Sequence, residues 1–386
     1  MHYVIIGGGI IGTAIGLTLA RKSAGRVTIL EKEISLGQHA SGRNSGVIHS
    51  GINQKPGSLK AQMCLEGSRH LRDYCRRRGV PMVECGTLVV ARDQKDVDVL
   101  EQLLAMGNAC GVPDLSMVSQ KELNEKEPAV IGIAALFSPT GATVDSLALL
   151  LALAADARES GVKYQMGEEV IDVDGEVLVT KQGRIKADHI INCAGLQADR
   201  IAHRMGAGKE YRVIPFRGEY MDVQGCDIRS MVYQAPDLRF PFLSIHLTRE
   251  TDGSVLAGPS AVLALGREAY DKQWQWGDAF DMFFSWNFFR LITNPEFVGA
   301  AIQNAHTSLS KAAFLREIQK LAPGIKMEQL SPARSGIRAQ MVDSQGHMVQ
   351  DILVEYRKNS THVLNAVSPG MTCSLVFADY VAGKIT

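Results

Sequence analysis

The sequence predicts an α/β protein in which a discontinuous Rossmann-type nucleotide-binding domain is interleaved with a second, α+β domain built on an antiparallel sheet. Two observations predict this class. Residues 3–30 have the order strand, glycine turn, helix, strand, which is a βαβ start. Residues 211–259 then contain a series of strand-like runs, and strand and helix patterns return at the C-terminus. The nucleotide fold is therefore expected to come from separate pieces of chain.

The N-terminal motif is an apolar run, Tyr3–Ile6, followed by Gly7, Gly9 and Gly12 in the spacing G-x-G-x-x-G. Such a run is typical of a parallel strand buried on both faces. The glycines allow a tight turn, close approach of the backbone to a pyrophosphate, and close packing of helix on strand. Glu31 ends the second strand, where a carboxylate accepts hydrogen bonds from ribose hydroxyls and repels a 2′-phosphate. The motif in this context predicts a dinucleotide site.

The rest of the chain divides into two sets of segments. We assign residues 1–80, 140–210 and 330–386 to the nucleotide-binding domain, and residues 81–139 and 211–329 to a substrate-binding domain. Apolar periodicity predicts helices over 13–22, 59–78, 94–111, 119–126, 145–160 and 371–382, with mostly helical structure over 270–321. Strands are predicted at 162–165, 169–173, 177–180, 188–193, 211–214, 219–223, 242–247, 254–257, 347–356 and 362–366.

Composition excludes several classes of function. Lys plus Arg and Asp plus Glu are both 41, so no concentrated basic surface for a nucleic-acid partner is expected. The seven cysteines lack the spacing of metal ligands, so we predict no metal site and reduced thiols in a cytoplasmic protein. No apolar run reaches the roughly 20 residues of a membrane-spanning helix.

Three further segments favour FAD over NAD as the dinucleotide. A polar loop, 39–46, follows the second strand, a second glycine turn occurs at 192–195, and Ser368–Thr372 opens the last helix. This layout resembles the flavoproteins glycine oxidase, sarcosine oxidase and glycerol-3-phosphate dehydrogenase. The fingerprint begins at residue 7, so we expect no catalytic domain before it. The resemblance implies that the last helix lies against the flavin pyrimidine, where its N-terminus stabilises negative charge at N1 and O2.

The residues that the resemblance assigns to FAD come from both ends of the chain. They are Gly7, Gly9, Gly12, Glu31, Lys32, Ser41, Arg43, Asn44, Ser45, Val170, Ala194, Gly195, Ser368, Gly370, Met371 and Thr372.

Four segments narrow the resemblance to L-2-hydroxyglutarate dehydrogenases and oxidases. The first is 42–51 with 55–61, which read GRNSGVIHSG and KPGSLKA. The others are 215–220, 240–259 and 336–340, which read PFRGEY, FPFLSIHLTRETDGSVLAGP and GIRAQ. The chain departs from that family in having Asn53-Gln54 in place of two tyrosines, a C-terminal turn Ser368-Pro369-Gly370-Met371, and an additional arginine, Arg334. The resemblance implies an FAD-dependent oxidation of L-2-hydroxyglutarate, or a similar 2-hydroxy acid, by hydride transfer from C2 to flavin N5.

Two other functions stay open. One is an amino-acid or amine oxidase of the glycine or sarcosine oxidase type, and the other is a flavoprotein electron-transfer subunit. The electron acceptor is equally open, because oxygen, quinone and another flavoprotein all fit the sequence.

Such a reaction needs a base for the hydroxyl proton and cations for the carboxylates. His246 lies in a strand and points to the face opposite Ile245 and Leu247, and histidine titrates near neutral pH. We favour His246 as the base and place His49 near the flavin ring; some relatives carry covalently bound flavin in this region, which leaves a covalent link open.

Arg338 is the predicted partner of the C1 carboxylate, because Gly-Ile-Arg is similar to the Gly-Leu-Arg that binds the substrate carboxylate in glycine oxidase. A guanidinium holds a carboxylate through two parallel hydrogen bonds. A dicarboxylate needs a second cation, for which Arg249, Arg239 and Arg217 are the candidates.

An aromatic segment, residues 274–289, contains all three tryptophans of the chain. We favour a helix packed on the core or a dimer contact. The alternative is an amphipathic surface that contacts a membrane peripherally, at the inner face of the cell membrane, and passes electrons to quinone.

Overall fold

The computed structural model describes residues 1–236, 245–271, 273–295, 297–299 and 310–386. The strands in chain order are β1 His2–Ile6, β2 Arg26–Glu31, β3 Val47–Ile48, β4 Met82–Val83, β5 Thr87–Ala91, β6 Ser116–Ser119, β7 Ala134–Ser138, β8 Ala142–Val144, β9 Lys163–Met166, β10 Val170–Asp174, β11 Val177–Thr180, β12 Arg184–Lys186, β13 His189–Asn192, β14 Arg212–Val223, β15 Met231–Gln234, β16 His246–Arg249, β17 Val255–Gly258, β18 Val262–Leu263, β19 Leu330–Val342, β20 Leu353–Arg357 and β21 Ser360–Asn365.

The α-helices are α1 Ile10–Arg21, α2 Leu59–Arg78, α3 Gln94–Ala109, α4 Gln120–Lys126, α5 Ser146–Glu159, α6 Ala198–Arg204, α7 Trp276–Phe283, α8 Trp286–Ile292, α9 Lys311–Gln319 and α10 Gly370–Ile385, with short 3-10 turns at Gly195–Gln197 and Met327–Gln329. In the part of the chain that the structure describes, no helix is both long and apolar enough to cross a membrane.

The nucleotide-binding domain is built on a sheet with the strand order β20, β21, β13, β1, β2, β9. Adjacent strands of this sheet pair in parallel, except that β20 and β21 pair antiparallel. Tyr3 and Ile5 of β1 face a core formed with α1, α2, α5 and α10. Val4 and Ile6 face a second core beneath the small β10–β11–β12 sheet and α6. Burial on both faces is the physical reason that this strand is continuously apolar.

The C-terminal helix α10 packs against both α1 and α2. Gly67 of α2 makes this approach close, since a Cβ at this position would lie 2.5 Å from the carbonyl oxygen of Thr372. The two ends of the chain therefore form one domain.

The second domain is a sheet with the order β18, β14, β17, β16, β15, β5, β7, β6, and β19 also pairs with β14. Its pairs are antiparallel except β5 with β15. Helix α9 covers one face of this sheet through Phe314 and Ile318. The predicted fold class, a discontinuous Rossmann-type domain interleaved with a largely antiparallel α+β domain, is confirmed.

The structure corrects one domain boundary and several elements. Strand β19 is hydrogen-bonded along β14, so residues 330–342 belong to the second sheet and the boundary predicted at 330 is wrong. The sequence of a strand does not name its neighbour, so only the pairing partner decides the domain of β19. The strands predicted at 211–214 and 219–223 are one strand, β14, and residues 347–352 precede β20. Of the strand predicted at 242–247, residues 242–244 lie outside the described residues.

Candidate active site

One cavity of about 1210 Å³ runs from the N-terminal glycine turn to the second sheet. Small-molecule pockets usually measure roughly 300–1,000 Å³, so this cavity has room for an extended cofactor and a substrate beside it. All of the residues predicted to hold FAD line it: Gly7, Gly9, Gly12, Glu31, Lys32, Ser41, Arg43, Asn44, Ser45, Val170, Ala194, Gly195, Ser368, Gly370, Met371 and Thr372.

The glycine turn shows why side chains are excluded at the nucleotide end. Gly7 has φ +107°, and a Cβ there would lie 2.4 Å from the carbonyl oxygen of Cys193. A Cβ at Gly12 would lie 2.1 Å from the carbonyl oxygen of Gly7. These approaches are far below van der Waals contact, so the turn and the first residues of α1 present bare backbone to the cavity. Free N–H groups at a helix N-terminus are suited to a pyrophosphate.

Two side chains fix this turn from the neighbouring loop. The carboxylate of Glu31 accepts hydrogen bonds from the N–H groups of Gly8 at 2.8 Å and Glu33 at 3.0 Å. The hydroxyl of Ser41 accepts one from the N–H of Ile10 at 2.9 Å, in the first turn of α1. The residues present thus fit a dinucleotide, with an acid beside the turn and backbone donors at the helix start.

The loop 39–46 is clamped against the second sheet. Asn44 closes the loop on itself by accepting from the N–H of Gly46 at 2.8 Å. The additional arginine, Arg334, donates from Nε to the carbonyl of Asn44 at 3.0 Å and forms an ion pair with Glu250. Gly336 allows β19 to approach, because a Cβ there would lie 2.2 Å from the carbonyl oxygen of Arg43. Arg334 therefore ties the loop to β19.

The C-terminal turn, residues 368–372, contacts His49 and Lys60. Thr372 is fully buried, and its hydroxyl accepts from the N–H of His49 at 3.1 Å. Ser368 touches two side chains: its hydroxyl lies 3.2 Å from Nε2 of His49, and its carbonyl accepts from Nζ of Lys60 at 2.9 Å. The start of α10, the loop after β3 and the first turn of α2 thus converge at one point of the cavity.

The catalytic candidates reach the cavity from different strands. His246 begins β16 opposite Gly258, is buried, and stacks on Tyr233 with ring centroids 4.4 Å apart. Arg338 lies on β19, and its Nε donates to Oε1 of Gln340 at 3.1 Å. His49, His246 and Arg338 all line the cavity. The structure therefore brings together the three residues that the sequence predicted as catalytic.

The charged side chains around His49 in the cavity are mostly positive. Burial, with Lys60 and Arg338 nearby, lowers the pKa of His49 to about 4. Burial and the charge of Arg338 lower the pKa of Lys60 to about 8, and burial lowers that of Arg338 to about 10. At neutral pH His49 is consequently neutral, while Arg338 keeps its charge.

The three arginines considered as the second cation differ in where they lie relative to the cavity. Arg217 lines the cavity but lies 3.2 Å from Oε1 of Glu219 and donates to the carbonyl of Ala269 at 3.2 Å. Arg249 is three residues from His246 along β16, so it points to the opposite face. It lines a separate groove and donates to the carbonyl of Ile228 at 3.4 Å. The structure does not bring Arg249 to the cavity, and Arg239 lies outside the described residues.

Sequence reasoning missed Lys60, Tyr220 and Tyr233, which line the cavity. Lys60 stands inside the segment 55–61 used for the resemblance, but at the start of an amphipathic helix a lysine carries no signal of its own. The tyrosines lie on strands whose neighbours in space are distant in sequence.

One group of possible metal ligands occurs among the described residues, namely Glu33, His39 and Glu268. The ammonium group of Lys32 forms ion pairs with Glu33 and, at 3.0 Å, with Glu268. The lysine therefore already supplies the positive charge that these carboxylates need, and the cluster gives no reason to assign a metal.

Comparison with known proteins identifies the family to which the chain belongs. The family model for FAD-dependent oxidoreductases matches residues 2–383, so the chain belongs to this family and is an FAD-dependent enzyme. Among solved structures, L-alpha-glycerophosphate oxidase from Mycoplasma pneumoniae with FAD bound has a TM-score of 0.78 at 23% identity, covering 98% of this chain and 92% of that one. Glycine oxidase from Geobacillus kaustophilus has a TM-score of 0.73 at 20% identity, covering 98% and 93%.

Curated relatives narrow the comparison. The chain is 34% identical to the mitochondrial L-2-hydroxyglutarate dehydrogenase of Homo sapiens, covering 99% of this chain and 88% of the relative. It is 34% identical to the L-2-hydroxyglutarate dehydrogenase of Escherichia coli K12, covering 99% and 92%, and 35% identical to that of Indibacter alkaliphilus, covering 96% and 95%. The family resemblance found in the sequence is confirmed.

Proposed function

We propose that the protein oxidises L-2-hydroxyglutarate, or a closely similar 2-hydroxy acid, to the 2-oxo acid. The observation that carries this proposal is that Arg338, His246 and His49 line one cavity that continues from the dinucleotide turn. The names of the curated relatives support the choice of substrate. FAD, when bound, supplies the hydride acceptor at flavin N5.

Arg338 is proposed to bind the C1 carboxylate. Its guanidinium is charged at neutral pH and reaches the cavity from a strand interior, where its position is fixed by Gln340. A planar fork orients a carboxylate as well as neutralising it, which places C2 and its hydrogen in a defined direction. Burial of the site strengthens this interaction because the local dielectric is lower than that of water.

His246 is proposed as the base. In the reaction the C2–H electron pair leaves as hydride, the hydroxyl proton passes to the histidine, and the C2–O bond becomes a carbonyl. Stacking on Tyr233 holds the imidazole plane of His246, which suits a group that must meet one proton. His49 is proposed to lie beside the flavin ring; its pKa of about 4 makes it a weaker base at neutral pH than an ordinary histidine.

Two variants separate the histidines. His246→Asn is expected to lower kcat by about 100-fold or more, within the range for a lost general base, and to remove the acidic limb of the pH profile. His49→Asn is expected to change the flavin absorption spectrum and to keep that limb. A pH profile that loses its acidic limb only in His49→Asn would reverse the two roles.

Anaerobic reduction of the enzyme-bound FAD tests the substrate. We expect L-2-hydroxyglutarate to bleach the flavin band near about 450 nm, where oxidised flavins absorb, and D-2-hydroxyglutarate, L-glutamate and glycine to leave it. Bleaching by an amino acid and not by the hydroxy acid would instead establish the amino-acid oxidase alternative, since Arg338 can bind any α-carboxylate. Bleaching by none of them would favour the electron-transfer subunit.

The aromatic segment bears on the electron acceptor. Its rings form an exposed aromatic surface, each at least 43% exposed, made of Trp274, Trp276, Phe280, Phe283, Phe284, Trp286 and Phe289. Helices α7 and α8 pack on the core through Met282 and Phe288. Trp276 and Phe284 are nevertheless 73% and 76% exposed, so these rings face outward. Tryptophan-rich amphipathic helices insert shallowly at the lipid interface. We therefore propose that this surface contacts a lipid bilayer peripherally and that the acceptor is a membrane quinone.

Liposome co-sedimentation tests the membrane contact. We expect the holoenzyme to sediment with liposomes, and the double variant Trp276→Ser with Phe284→Ser to stay in the supernatant. Ile131→Ser is the matched control, because Ile131 is 51% exposed in the loop between α4 and β7, outside the aromatic segment. Concentration-dependent dimerisation that the double variant abolishes, without liposome binding, would show that the surface joins two copies of the chain.

A further inference from the structure

Lys60 is a buried cation that is held in position by a neutral hydrogen-bond acceptor. Its side chain is 8% exposed and lines the cavity, and Nζ donates to the carbonyl of Ser368 at 2.9 Å. Within the described ranges it forms no ion pair with a carboxylate. Its pKa is lowered by burial and by the charge of Arg338. The hydrogen bond to a neutral carbonyl occupies one of the three donors of the ammonium group.

The nearest carboxylate, that of Asp351, is committed to the backbone. It accepts from the N–H groups of Leu59 and Lys60, both at 3.0 Å, and from that of Ile352 at 2.8 Å. Asp351 thus caps the N-terminus of α2 and holds the helix turn that presents Lys60. Its charge raises the pKa of Lys60, but the net effect of the surroundings is to destabilise the ammonium.

Most other cations along the cavity already have partners. Arg217 is paired with Glu219, Lys32 with Glu33 and Glu268, and Arg200 with Asp278 and Asp281. Arg43 lies over the ring of Tyr270 at 4.3 Å, and Lys55 is exposed to solvent. Lys60 differs from these cations because it is buried and donates to a neutral carbonyl, and the charge of Arg338, which lines the same cavity, acts on it.

We propose that Lys60 binds the second carboxylate of a dicarboxylic 2-hydroxy acid whose first carboxylate is bound by Arg338. The inference rests on the proposed function and deepens it by assigning a residue to the second carboxylate of the substrate. Two neighbouring buried cations repel each other and each loses hydration. A dicarboxylate brings a second negative charge to the ammonium of Lys60, whereas a monocarboxylate bound at Arg338 brings none to it. Lys60 is therefore a specificity-determining residue for dicarboxylates.

The test compares two substrates that differ only in the second carboxylate. For the FAD-loaded enzyme, kcat/KM is measured with L-2-hydroxyglutarate and with L-2-hydroxypentanoate, which has the same chain length. In Lys60→Met the ratio of the two values is expected to fall by about 10- to 100-fold, the size expected for a lost charged hydrogen bond, through KM of the dicarboxylate. Lys60→Arg should retain most of the selectivity, and Lys55→Met, which removes an exposed lysine from the loop before α2, should keep the wild-type ratio.

Binding without turnover separates this inference from the proposed function. Glutarate and pentanoate are titrated into the holoenzyme and followed through the flavin absorption spectrum. If Lys60→Met weakens glutarate alone, the dicarboxylate site stands even where no 2-hydroxy acid is oxidised. If the wild-type enzyme oxidises L-2-hydroxyglutarate but Lys60→Met weakens both ligands equally, or neither, the inference is overturned and Lys60 serves only the turn at Ser368. Flavin content is recorded for each variant.

Discussion

The two ends of the cavity are built in different ways. At the nucleotide end, one continuous stretch of chain, Gly7 to Glu31, supplies the turn, the helix start and the acid, and the contacts are mostly to backbone. At the proposed substrate end, Arg338, His246 and Lys60 reach the cavity from β19, β16 and α2, and the groups proposed to act there are side chains. The nucleotide end depends on exposed backbone, because a side chain at Gly7 or Gly12 would clash with a carbonyl oxygen. The proposed substrate end depends on the identity of a few side chains.

This contrast predicts that substitutions at the nucleotide end affect cofactor retention, whereas those at the substrate end affect turnover.

The largest effect is expected for Gly12→Ala. The added methyl would lie 2.1 Å from the carbonyl oxygen of Gly7, so the turn must open or α1 must shift. We expect destabilisation of about 1–3 kcal/mol from overpacking and loss of most bound FAD, measured by thermal unfolding and by the flavin-to-protein absorbance ratio. Gly183→Ala is the control, because a Cβ there meets nothing within 4 Å. Full FAD content in Gly12→Ala would contradict the idea that FAD binding requires a bare backbone at this turn.

A smaller effect on a different quantity is expected for Arg338→Lys. The variant keeps the charge but loses the fork, so kcat/KM for the 2-hydroxy acid should fall by about 10- to 100-fold, corresponding to roughly 1.5–3 kcal/mol for a charged hydrogen bond. The FAD content should be unchanged. Arg249→Lys is the matched control, since Arg249 lies on the other face of the sheet and faces a separate groove. Equal losses in both variants would mean that the carboxylate site is elsewhere.

The smallest effect is expected from pH. The pKa of Lys60 is about 8, so the ammonium is present below that pH and is lost as the pH rises through it. KM for L-2-hydroxyglutarate should therefore rise about tenfold between pH 7 and pH 9, as expected for one required proton. The charged and titratable groups around Lys60 are Arg338, His49, Asp351, Cys64 and Cys373.

Lys60→Arg is the control for this profile, because its guanidinium stays protonated over the same pH range. An equal rise of KM for L-2-hydroxypentanoate would show that a group other than Lys60 is titrating.

The fold was largely accessible from the sequence because its signals are local. The helix predicted over 59–78 and the strand over 177–180 have the bounds of α2 and β11, and the glycine turn lies between β1 and α1 as its spacing predicts. The boundary at 330 failed because β19 is assigned to a sheet by its partner β14, a pairing between residues more than a hundred positions apart.

The sequence by itself determined the nucleotide end of the cavity, because its glycine motif is contiguous along the chain. It also indicated the residue types needed for the proposed chemistry, because the charge of Arg338 can be recognised without knowing which residues surround it in space. The tertiary structure decided which charges share the cavity. It turned Arg249 away through the alternation of β16, paired Arg217 with Glu219, and placed Lys60 beside Ser368. The physical reason is that strand facing, ion pairing and burial depend on residues that are distant along the chain.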